Sequence, residues 1–412
     1  MNVFFIHQYS GNKGDRAVLV ATLALLRSRY PEAVISISTS EPGVLASDSS
    51  LQLPNVSFVP SAWDYRQCTG SLWTALLQRF HKYTFTLMRE SFLLGIGSIM
   101  APLICNSAFL SKLRSADIVV SVGGHHFTTL LSRDLVSNVN FDATVVLALK
   151  KRLVCFSQSF GPFVFHNPRN KSLTRKILNQ CDVLYCRDAH SVVAMTEFGV
   201  HANRMKITFE TVLTLNKKVG ERIPMENREK RIGISVYTTT LFKTPDKRRR
   251  YISVITAFCN AMTERGYQVV FFPMEFKGTR PDDRPVIREL LNGVSKKESC
   301  TYFDNDLMVN EHLGEVAKCS LFLGHKTHSV VFALTAGTPV IALAYHTKTF
   351  DFMSQFGLED YCIGDDDVDL DKLVGLVNRI EPRLDDISNH IFKRAAELAS
   401  RVKSDFNMAI GQ

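Results

Sequence analysis

The sequence lacks the cysteine spacing of a disulfide-bonded or metal-binding protein. Its nine cysteines are scattered, at positions 68, 105, 155, 181, 186, 259, 300, 319 and 362. There is no Cys-x-x-Cys pair and no Cys/His spacing typical of zinc. An odd, unpatterned set in a chain of 412 residues indicates reduced thiols in a cytosolic protein. The N-terminal segment also lacks the charged start and apolar length of a signal peptide, and its pattern predicts a strand followed by a turn.

Composition typical of disordered or fibrous chains is absent as well. Hydrophobic residues make up 45% of the chain, with only 22 Gly and 14 Pro, which is enough apolar side chain for full cores. The charge is unevenly distributed between the two halves of the chain. Residues 1–220 hold 23 Lys and Arg against 13 Asp and Glu, whereas residues 221–412 hold 26 against 27. The net charge of +9 therefore comes from the first half of the chain.

Nucleic-acid binding is not indicated by this basic excess. The chain has no stripe of Arg and Lys interleaved with aromatic residues and no recognisable nucleic-acid module. Its sharpest basic run, at 247–250, falls at a predicted helix start, where such runs are usually solvated. We therefore expect no nucleic-acid partner. A non-catalytic protein that binds polyanions or membranes stays open as an alternative.

Short apolar runs recur along the chain, each followed by a turn and then by helical periodicity. They lie at 3–6, 33–38, 56–59, 117–122, 152–157, 183–186 and 205–209, and again at 231–236, 267–273, 300–303, 320–324 and 338–345. Helical periodicity is clearest at 17–30, 249–265, 284–292 and 387–406. Several of the short runs are apolar throughout, as in strands buried on both faces of a parallel sheet. The pattern predicts an α/β fold with doubly wound, Rossmann-like sheets.

A polar segment divides this pattern into two halves. Residues 216–231 contain Gly and Pro and have no apolar face, so we expect a linker there. The predicted organisation is an N-terminal domain at 1–215, the linker at 216–231, a C-terminal domain at 232–380 and a C-terminal helix at 381–412. Two such domains would face each other across a cleft, with ligands beyond the carboxyl ends of the strands.

One segment does not follow the strand–helix pattern. Residues 92–110 carry no charge for 19 positions, which is long enough to span a bilayer as a helix. A buried or partner-covered helix pair, broken near Gly95 and Pro102, is one interpretation. A transmembrane span is a second, and it would separate parts of one parallel sheet. The third is an interfacial segment on an anionic membrane surface, because basic residues flank the segment.

The first motif that could bind a ligand or catalyse a reaction is Gly11-Asn12-Lys13-Gly14-Asp15, between a predicted strand and a helix. Glycines at such a turn let backbone N–H groups approach a ligand, and the helix N-terminus favours an anion. The motif is neither a P-loop nor a Rossmann fingerprint. Asp15 is predicted either to cap the helix or to act as a general base toward a hydroxyl group.

Three further motifs follow predicted strands of the first half. The Gly123-Gly124 pair permits a close backbone approach or a tight turn. In the run 157–162, Ser157 and Ser159 can either hydrogen-bond a ligand or close the turn. Arg187 lies where a guanidinium can bind a phosphate or carboxylate, although an Arg–Asp surface pair would also explain it.

The most informative motif spans two predicted strand ends of the second half. Gly324 is followed by His325-Lys326-Thr327-His328 at the start of an apolar helix, and the next strand ends in the basic run 345–348. Both clusters reach the same end of the sheet, which favours an anion site. The spacing of the two histidines could suggest a metal, but no Cys or carboxylate ligand is near in sequence, so we expect none.

The order of these motifs resembles the polysaccharide pyruvyl transferase family. The resemblance rests on GNKGDRAVL, ADIVVSVGG, SQSFGPF, CRDAHSVVAMTEFGV, GISV and HKTHSVVFALTAGTPVIALAYHTK, which together run from residue 11 to 348. Each motif is weak alone, but six in this order are specific. The family implies a GT-B-like fold with two Rossmann-like domains. It also implies transfer of pyruvate from phosphoenolpyruvate onto two hydroxyls of one sugar, with formation of a cyclic ketal and release of phosphate.

This resemblance assigns expected roles to the motif residues. The catalytic pair is His328 as general acid and Asp15 as general base. An imidazolium near two anions would have its charged form favoured. The substrate-binding set is Arg187, Lys326, Lys348, His325, Asn12, Gly11, Gly14, Gly124, Ser157 and Ser159, with the first three as fixed cations for the donor. No metal or cofactor is expected, and phosphoenolpyruvate is the donor substrate.

Three departures from the family pattern stand out. Lys326 replaces the usual Arg before the helix-start histidine, and the two cations are not equivalent in bidentate contacts. His125 and His126 follow the glycine pair where small or acidic residues are usual. Glu210-Thr211 stands where the family has Asp-Pro, and no role is transferred to Glu210. These changes suggest a divergent member with another acceptor.

The closest alternative is a GT-B glycosyltransferase that uses a nucleotide-sugar donor. We expect a cytoplasmic protein, peripheral at the inner face of the membrane through residues 92–110. The expected acceptor is a phosphate-bearing or membrane-held sugar, received by the basic N-terminal half, while the C-terminal half receives phosphoenolpyruvate.

Overall fold

The computed structural model describes residues 1–8, 12–65, 76–77, 79–130, 132–218, 222–238, 244–276, 282–345 and 347–411. Their contacts divide the chain into two compact units. The N-terminal unit comprises Met1–Gly11, Val18–Thr211 and Arg401–Gln412, and the C-terminal unit comprises Asn12–Ala17 and Val212–Ser400. The main division therefore falls between Thr211 and Val212, just before the linker expected from the sequence.

The N-terminal unit contains a parallel sheet whose described strands number seven. They are β1 Asn2–Ile6, β2 Val34–Ser38, β3 Val56–Val59, β4 Ile118–Ser121, β5 Leu153–Gln158, β6 Val183–Cys186 and β7 Met205–Ile207. Their order across the sheet is β3-β2-β1-β4-β5-β6-β7, and each neighbouring pair is parallel. At its centre Val3 pairs with Ile118 and Phe4 with Val119.

Helices accompany these strands in the order expected for crossover connections. They are α1 Lys13–Arg29, α2 Pro42–Ser47, α3 His81–Leu93, α4 Gly97–Ile104, α5 Ser107–Ser115, α6 Asn138–Ala148, α7 Pro168–Gln180 and α8 Ala189–Phe198. The central strands β1, β4, β5 and β6 are almost wholly buried, which explains why they read as mainly hydrophobic runs in the sequence, whereas the edge strands β3 and β7 are half-buried or exposed.

The C-terminal unit repeats the same architecture. Its described strands are β8 Glu229–Ile234, β9 Gln268–Phe271, β10 Cys300–Tyr302, β11 Cys319–Gly324, β12 Val340–Ala344 and β13 Cys362–Gly364, all parallel, in the order β10-β9-β8-β11-β12-β13. Its helices are α9 Pro245–Glu264, α10 Arg284–Asn292, α11 Val309–Ala317, α12 Thr327–Ala336, α13 Thr347–Gln355, α14 Leu370–Ile380 and α15 Leu384–Gly411. The predicted fold class, two parallel-sheet Rossmann-like units, is confirmed.

One glycine shows how closely this second sheet packs. A Cβ on Gly233, in β8, would lie 2.5 Å from the ring of Phe322 on the neighbouring strand β11. The missing side chain lets that ring lie over the strand, where it also meets Phe272 at 5.4 Å between ring centroids. A larger residue at position 233 would push this core apart.

The long helix α15 belongs to both units by its contacts. Its residues up to Ser400 group with the C-terminal unit, and those from Arg401 group with the N-terminal unit. In the latter, Phe406 packs edge-on against Phe156 with 5.0 Å between ring centroids. Thr208 donates a hydrogen bond of 2.8 Å to the carboxylate of Asp405. The C-terminal helix expected from the sequence is therefore also part of the first core.

The uncharged segment 92–110 is divided among three helices. It contains the end of α3, all of α4 with Pro102 inside it, and the start of α5. Gly95 makes the turn between α3 and α4 with φ of 83°, a conformation that favours glycine. Across the described ranges, no helix is long and apolar enough to cross a membrane. The segment is therefore not one continuous helix.

Candidate active site

Both sheets reverse their strand order at a central point where ligands characteristically bind. The order runs outward from β1 to β3 on one side and from β4 onward on the other, and β8 and β11 are the equivalent pair in the C-terminal unit. In doubly wound folds the ligand lies beyond the carboxyl ends of the strands at this point. The residues that follow β1, β4, β8 and β11 are therefore the main candidates for ligand contacts.

In the N-terminal unit, a buried polar network occupies this position. His7 follows β1 with φ of 72° and is fully buried. Its Nδ1 lies 2.6 Å from Ser121 Oγ, and its Nε2 lies 3.1 Å from the carbonyl oxygen of Val139. Gln158 donates from Nε2 to Ser121 Oγ and, at 2.8 Å, to the carbonyl of Val122. Ser121 is thus free to donate to His7 Nδ1, which makes the Nε2–H tautomer the consistent assignment.

The charge of His7 follows from its surroundings. Burial lowers the pKa of this imidazole well below its usual value, and neighbouring His126 lowers it further, against a smaller raising effect of the Val139 hydrogen bond. His7 is therefore neutral near neutral pH. It orients groups at the end of β1 and does not supply a positive charge.

The glycine pair that follows β4 makes two close approaches. A Cβ on Gly123 would lie 2.9 Å from the carbonyl oxygen of Ser157, and one on Gly124 would lie 2.4 Å from Nε2 of His126. Gly124 also has φ of 150°, and its carbonyl accepts a hydrogen bond of 2.8 Å from the backbone of Ser159. The pair is therefore required for strand-end packing, which accounts for it without a ligand.

Arg187, expected to bind the donor, lies at the end of β6 in a buried ion pair. Its Nη1 donates to Glu210, and its Nε donates to Ser159 Oγ at 2.9 Å. Both charged side chains are buried, at 3% and 0% exposure. Ser159 donates in turn to Asp188 at 2.5 Å. Arg187 and Ser159 are thus parts of one internal network, in which Glu210 balances the positive charge.

Ser157 forms a second link to the same segment. It adopts φ of 54°, and its hydroxyl donates to the carbonyl of Phe209 at 2.8 Å while accepting from the backbone of Thr211 at 3.2 Å. These bonds fix the chain on both sides of Glu210. The serine therefore closes the turn, which is one of the two roles that the sequence left open.

In the C-terminal unit, the residue after His325 lies in a buried charge cluster. The ammonium of Lys326 donates to Asp283 Oδ1 at 2.8 Å and Oδ2 at 2.9 Å, and lies 3.4 Å from Glu275 Oε2. Asp283 also accepts hydrogen bonds from the backbone of Met274 and Glu275. Burial raises the pKa of the Asp283 carboxyl, although Lys326 opposes that shift. One ammonium thus faces two carboxylates.

His325 itself is fully buried beside aromatic rings. Its Nδ1 lies 3.2 Å from the hydroxyl of Tyr251, and its backbone N donates to Ser235 Oγ at 3.0 Å. Tyr237 lies 5.4 Å from its ring and stacks on Tyr345 at 4.0 Å between centroids. Burial, with a smaller contribution from Lys326, lowers the pKa of His325 to about 3.

These two findings differ from the cationic cluster expected at this strand end. His325 is neutral near neutral pH because its charged form would be desolvated. The charge of Lys326 is balanced by buried carboxylates. Among the described residues, this end of the sheet also holds the N-terminus of α12 and, in the first turn of α13, the half-buried Lys348. The backbone N–H groups of a helix N-terminus can still bind an anion.

The first motif of the sequence lies against α12 within the C-terminal unit. A Cβ on Gly14 would lie 2.3 Å from Nδ1 of His328, so the imidazole rests directly on this glycine. Asp15 follows Gly14 in the chain. The structure therefore brings the two expected catalytic residues into one neighbourhood, and the absence of a side chain at position 14 is what permits it.

The hydrogen bonds at the start of α1 decide between the two interpretations of Asp15. Asn12 takes the capping role, because its Oδ1 accepts from the backbone of Asp15 at 2.9 Å. Its Nδ2 donates to the Asp15 carboxylate at 2.8 Å. Asp15 is therefore not the cap, as one interpretation held, but lies within the first turn of α1. Gly11 of the same motif lies outside the described residues.

Lys13 of this motif is buried and takes part in a separate ion pair. Its ammonium donates to Asp306 at 2.6 Å and to the carbonyl of Leu307 at 2.5 Å, while Arg16 also contacts Asp306. Lys13, Arg16, Asp306 and Leu307 all belong to the C-terminal unit. These bonds hold the start of α1, and with it Gly14 and Asp15, in place.

The sequence missed four residues of these clusters. Glu210 had stood out only as a departure from a family pattern, and Asp283 and Glu275 carried no signal because their partner is distant in the chain. His7 could have been found, since a polar residue directly after a central apolar strand is placed at the switch point. Within the described ranges, no group of three or more His, Cys, Asp or Glu residues could hold a metal ion.

A comparison with protein-family models decides the family. The model described as polysaccharide pyruvyl transferase matches residues 12–347, which include both sheets' central strands apart from β1. The chain belongs to the polysaccharide pyruvyl transferase family. The resemblance seen in the sequence motifs is thereby confirmed, and with it membership of a family of transferases.

A curated relative and several solved structures are consistent with this assignment. The chain is 25% identical over 322 residues to the amylovoran biosynthesis protein AmsJ of Erwinia amylovora, covering 74% of this chain and 75% of that protein. A putative UDP-N-acetylglucosamine 2-epimerase from Listeria monocytogenes aligns with a TM-score of 0.59 at 13% identity, covering 99% and 97% of the two chains. The enzyme of that type from Methanocaldococcus jannaschii gives 0.57 at 12%, covering 92% of each. At such identities these structures show the GT-B-like fold alone.

Proposed function

We propose that this protein transfers pyruvate from phosphoenolpyruvate onto two hydroxyls of one sugar, forming a cyclic ketal and releasing phosphate. The observation that carries the proposal is the contact between His328 and Gly14, in a chain of the pyruvyl transferase family. It joins the two motifs that the chemistry needs, a proton donor at a helix start and a carboxylate in the neighbouring turn. The likeness to AmsJ supports a role in polysaccharide biosynthesis.

The reaction forms two C–O bonds at the same carbon, first by addition to the enol double bond and then by replacement of the phosphate. One sugar hydroxyl adds to C2 of phosphoenolpyruvate, losing its proton to a base, while the methylene carbon C3 gains a proton from an acid. The phosphate then leaves C2 with the electrons of its C–O bond. The second hydroxyl bonds to C2 and loses its proton, so that the products are the ketal and inorganic phosphate.

His328 and Asp15 are the proposed acid and base. His328 lies in the first turn of α12, and Asp15 lies in the first turn of α1, one residue from the glycine that the imidazole contacts. In this arrangement His328 protonates C3, and Asp15 accepts the proton of the attacking hydroxyl. Asn12 holds the Asp15 carboxylate through its amide and thereby orients it.

Donor binding is proposed at the end of β11 and β12. In this proposal the backbone N–H groups at the start of α12 and the ammonium of Lys348 bind the phosphate and carboxylate of the donor. Lys326 acts through Asp283 to fix this strand end. Because buried carboxylates engage the Lys326 ammonium, the helix terminus and Lys348 carry the donor contacts in this proposal.

The acceptor is proposed to be a phosphate-bearing or membrane-held sugar received by the N-terminal domain in the cytoplasm. The supporting observation is the charge of residues 1–220, which hold 23 basic against 13 acidic residues. A positive field raises the local concentration of an anionic substrate. The buried network of His7, Ser121 and Gln158 fixes the ends of β1 and β4, beside which the acceptor is proposed to bind.

Purified full-length protein incubated with phosphoenolpyruvate and a panel of lipid-linked and nucleotide-linked sugars tests the proposal. The expected result is phosphate release together with an acceptor heavier by one pyruvate less one water. Phosphate release without that product would indicate hydrolysis and contradict the assignment. A glycosyltransferase would instead be stabilised against thermal unfolding by a nucleotide sugar and not by phosphoenolpyruvate, because a ligand shifts stability only through binding to the native state.

A further inference from the structure

An exposed apolar face covers the helical hairpin of α3 and α4 in the N-terminal unit. Leu94, at the turn, is 72% exposed, Ile99 is 68% exposed and Leu103 is 54% exposed. Tyr83 and Leu87 on α3 are exposed as well. Soluble proteins rarely gather so many exposed large apolar side chains in one short segment, and such patches mark interaction surfaces.

The opposite face of the hairpin is buried, so the exposed face is directed away from the unit's core. Met88, Phe92 and Ala101 are buried in the hydrophobic core. A Cβ on Gly97 would lie 3.0 Å from Ala148 of helix α6, which shows how closely the hairpin packs there. Since both helices use one side for the core, their other sides form a single outward surface. We call Tyr83, Leu87, Leu94, Ile96, Ile99 and Leu103 the hairpin face.

The surroundings of the hairpin face are strongly basic. Residues 76–115 and helix α7, taken together, contain the basic residues Arg79, Lys82, Arg89, Lys112, Arg114, Arg169, Lys171, Arg175 and Lys176. Glu90 is the one acid in these two segments, and it pairs with Arg89 at 2.7 Å and Arg169 at 3.0 Å. The charge of these two segments is therefore predominantly positive, with nine basic residues against one acidic residue.

Two contacts tie this charge to the hairpin itself. The ammonium of Lys176 donates to the carbonyl of Phe92 at 3.0 Å, at the C-terminal end of α3 and two residues before Leu94. Arg89 donates to Asn170 of helix α7 at 2.7 Å. The basic helix α7 thus packs beside α3, so that cations border the apolar turn in space as well as in sequence.

We propose that the hairpin face docks this protein on an anionic phospholipid membrane. Apolar side chains at the tip enter the boundary between headgroups and acyl chains, and the surrounding Lys and Arg contact lipid phosphates. A second copy of this chain would bring the same basic surface against itself, which like-charge repulsion opposes. The charge complementarity therefore selects the anionic membrane. This inference goes beyond the proposed function and does not depend on the donor or the reaction.

Vesicle co-sedimentation of the full-length protein tests the proposal. The probes are vesicles of phosphatidylcholine alone and vesicles with about one third phosphatidylglycerol, an anionic lipid. The variant Leu94→Ser/Ile96→Ser/Ile99→Ser removes the tip of the hairpin face, and these positions are exposed, so the fold is retained. The control is Val164→Ser/Val193→Ser/Ile207→Ser, because these residues are also exposed apolar side chains of the N-terminal unit but lie outside the hairpin.

The wild type and the control variant should bind the anionic vesicles and not the neutral ones. The hairpin variant should bind at least about tenfold more weakly, because each aliphatic side chain that leaves water contributes about that factor. Equal binding of the wild type and the hairpin variant would overturn the proposal. A wild type that binds no vesicles would also overturn it. This holds equally if the wild type is a dimer and the hairpin variant a monomer, because the hairpin face would then bind a second copy of the chain. Transfer activity on a soluble acceptor does not enter the readout, so this outcome is separable from that of the proposed reaction.

Discussion

The ammonium of Lys326 lies between the two carboxylate oxygens of Asp283, at 2.8 and 2.9 Å, with both side chains buried. This pair changes the role expected of Lys326. The residue does not present an uncompensated charge to a donor but fixes the segment before α10 to the end of β11. The acidic partner also explains how a cation is tolerated at 7% exposure.

The buried pair predicts a large stability loss for Lys326→Met. The substitution leaves Asp283 and Glu275 without their cation, and removing one partner of a buried ion pair costs about 3–5 kcal/mol. Urea denaturation should show this loss, and Lys326→Arg should recover most of it. Lys318→Met is the matched control, since Lys318 pairs with Glu315 at the surface and such pairs contribute about 0–1 kcal/mol. A loss for Lys326→Met no larger than the control's would contradict the role of this pair.

The buried ion pair of Arg187 and Glu210 predicts that substitutions at these two positions have strongly coupled effects on the stability of the N-terminal unit. Each single substitution, Arg187→Met or Glu210→Leu, leaves a buried charge unbalanced and should destabilise by about 3–5 kcal/mol. The double variant should lose much less than the sum of the two, because no charge is left without its partner. Equilibrium unfolding of the four proteins gives the coupling energy. Additive losses would show that the two side chains do not act as a pair.

The lowered pKa of buried His325 predicts a loss of folding stability in mild acid. Its pKa is lowered from 6.5 to about 3 in the folded protein, so between these values the unfolded chain binds the proton and the folded chain does not. The stability contributed by neutral His325 is thus present above pH 6.5 and is lost as the pH falls toward 3. From about pH 7.5 to pH 5 the loss from this residue is about 2 kcal/mol.

A comparison with His325→Gln isolates this contribution from that of other titrating groups. The free energy of unfolding of this variant should fall less between these two pH values than that of the wild type, by about 2 kcal/mol. Equal pH dependence in both proteins would mean that His325 titrates alike in the folded and unfolded chains.

Gly14→Ala is predicted to reduce turnover through His328. The added Cβ would lie 2.3 Å from the imidazole nitrogen, so the ring must move away from its present position. Displacement of a general acid by about 1 Å can reduce the rate about 100-fold. Gly314→Ala in α11 is the control, because a Cβ there meets nothing within 4 Å. Unchanged turnover of Gly14→Ala in the phosphate-release assay would indicate that His328 needs no fixed position.

The catalytic assignments themselves are tested by His328→Gln and Asp15→Asn. Each should lower the turnover by about 100-fold or more, because general acid and base catalysis typically supplies factors of that size. Thermal unfolding should stay close to that of the wild type. His201→Gln, at an exposed position remote in sequence from both motifs, is the control. Turnover of either catalytic variant near that of the control would remove that residue from the mechanism.

The sequence predicted the sheets well because their strands are apolar on both faces. The strands at 56–59 and 183–186 were placed with their observed bounds, and the other predicted strands differ from the observed ones by one or two residues at an end. Strand β13, Cys362–Gly364, was missed because it is short and half-buried. Helix α6 was not singled out because nearly all its residues are buried, which removes the amphipathic period that marks surface helices.

The site could be predicted only in part, for a different reason. The motif order indicated the family and identified Gly14, Asp15 and His328 as candidate site residues. Charge state could not be read from the same motifs, because it depends on partners far away in the chain. Lys326 meets Asp283, 43 positions earlier in the sequence, and Arg187 meets Glu210, 23 positions later. Neither pairing has a local pattern.

The most direct test of the proposed chemistry is the mass of the acceptor after incubation with phosphoenolpyruvate. We predict that the sugar gains one pyruvate less one water, with one phosphate released for each ketal formed, and that His328→Gln yields neither product. Transfer of a sugar from a nucleotide donor, or no change of mass with any acceptor while phosphoenolpyruvate leaves the protein's thermal stability unaltered, would contradict it.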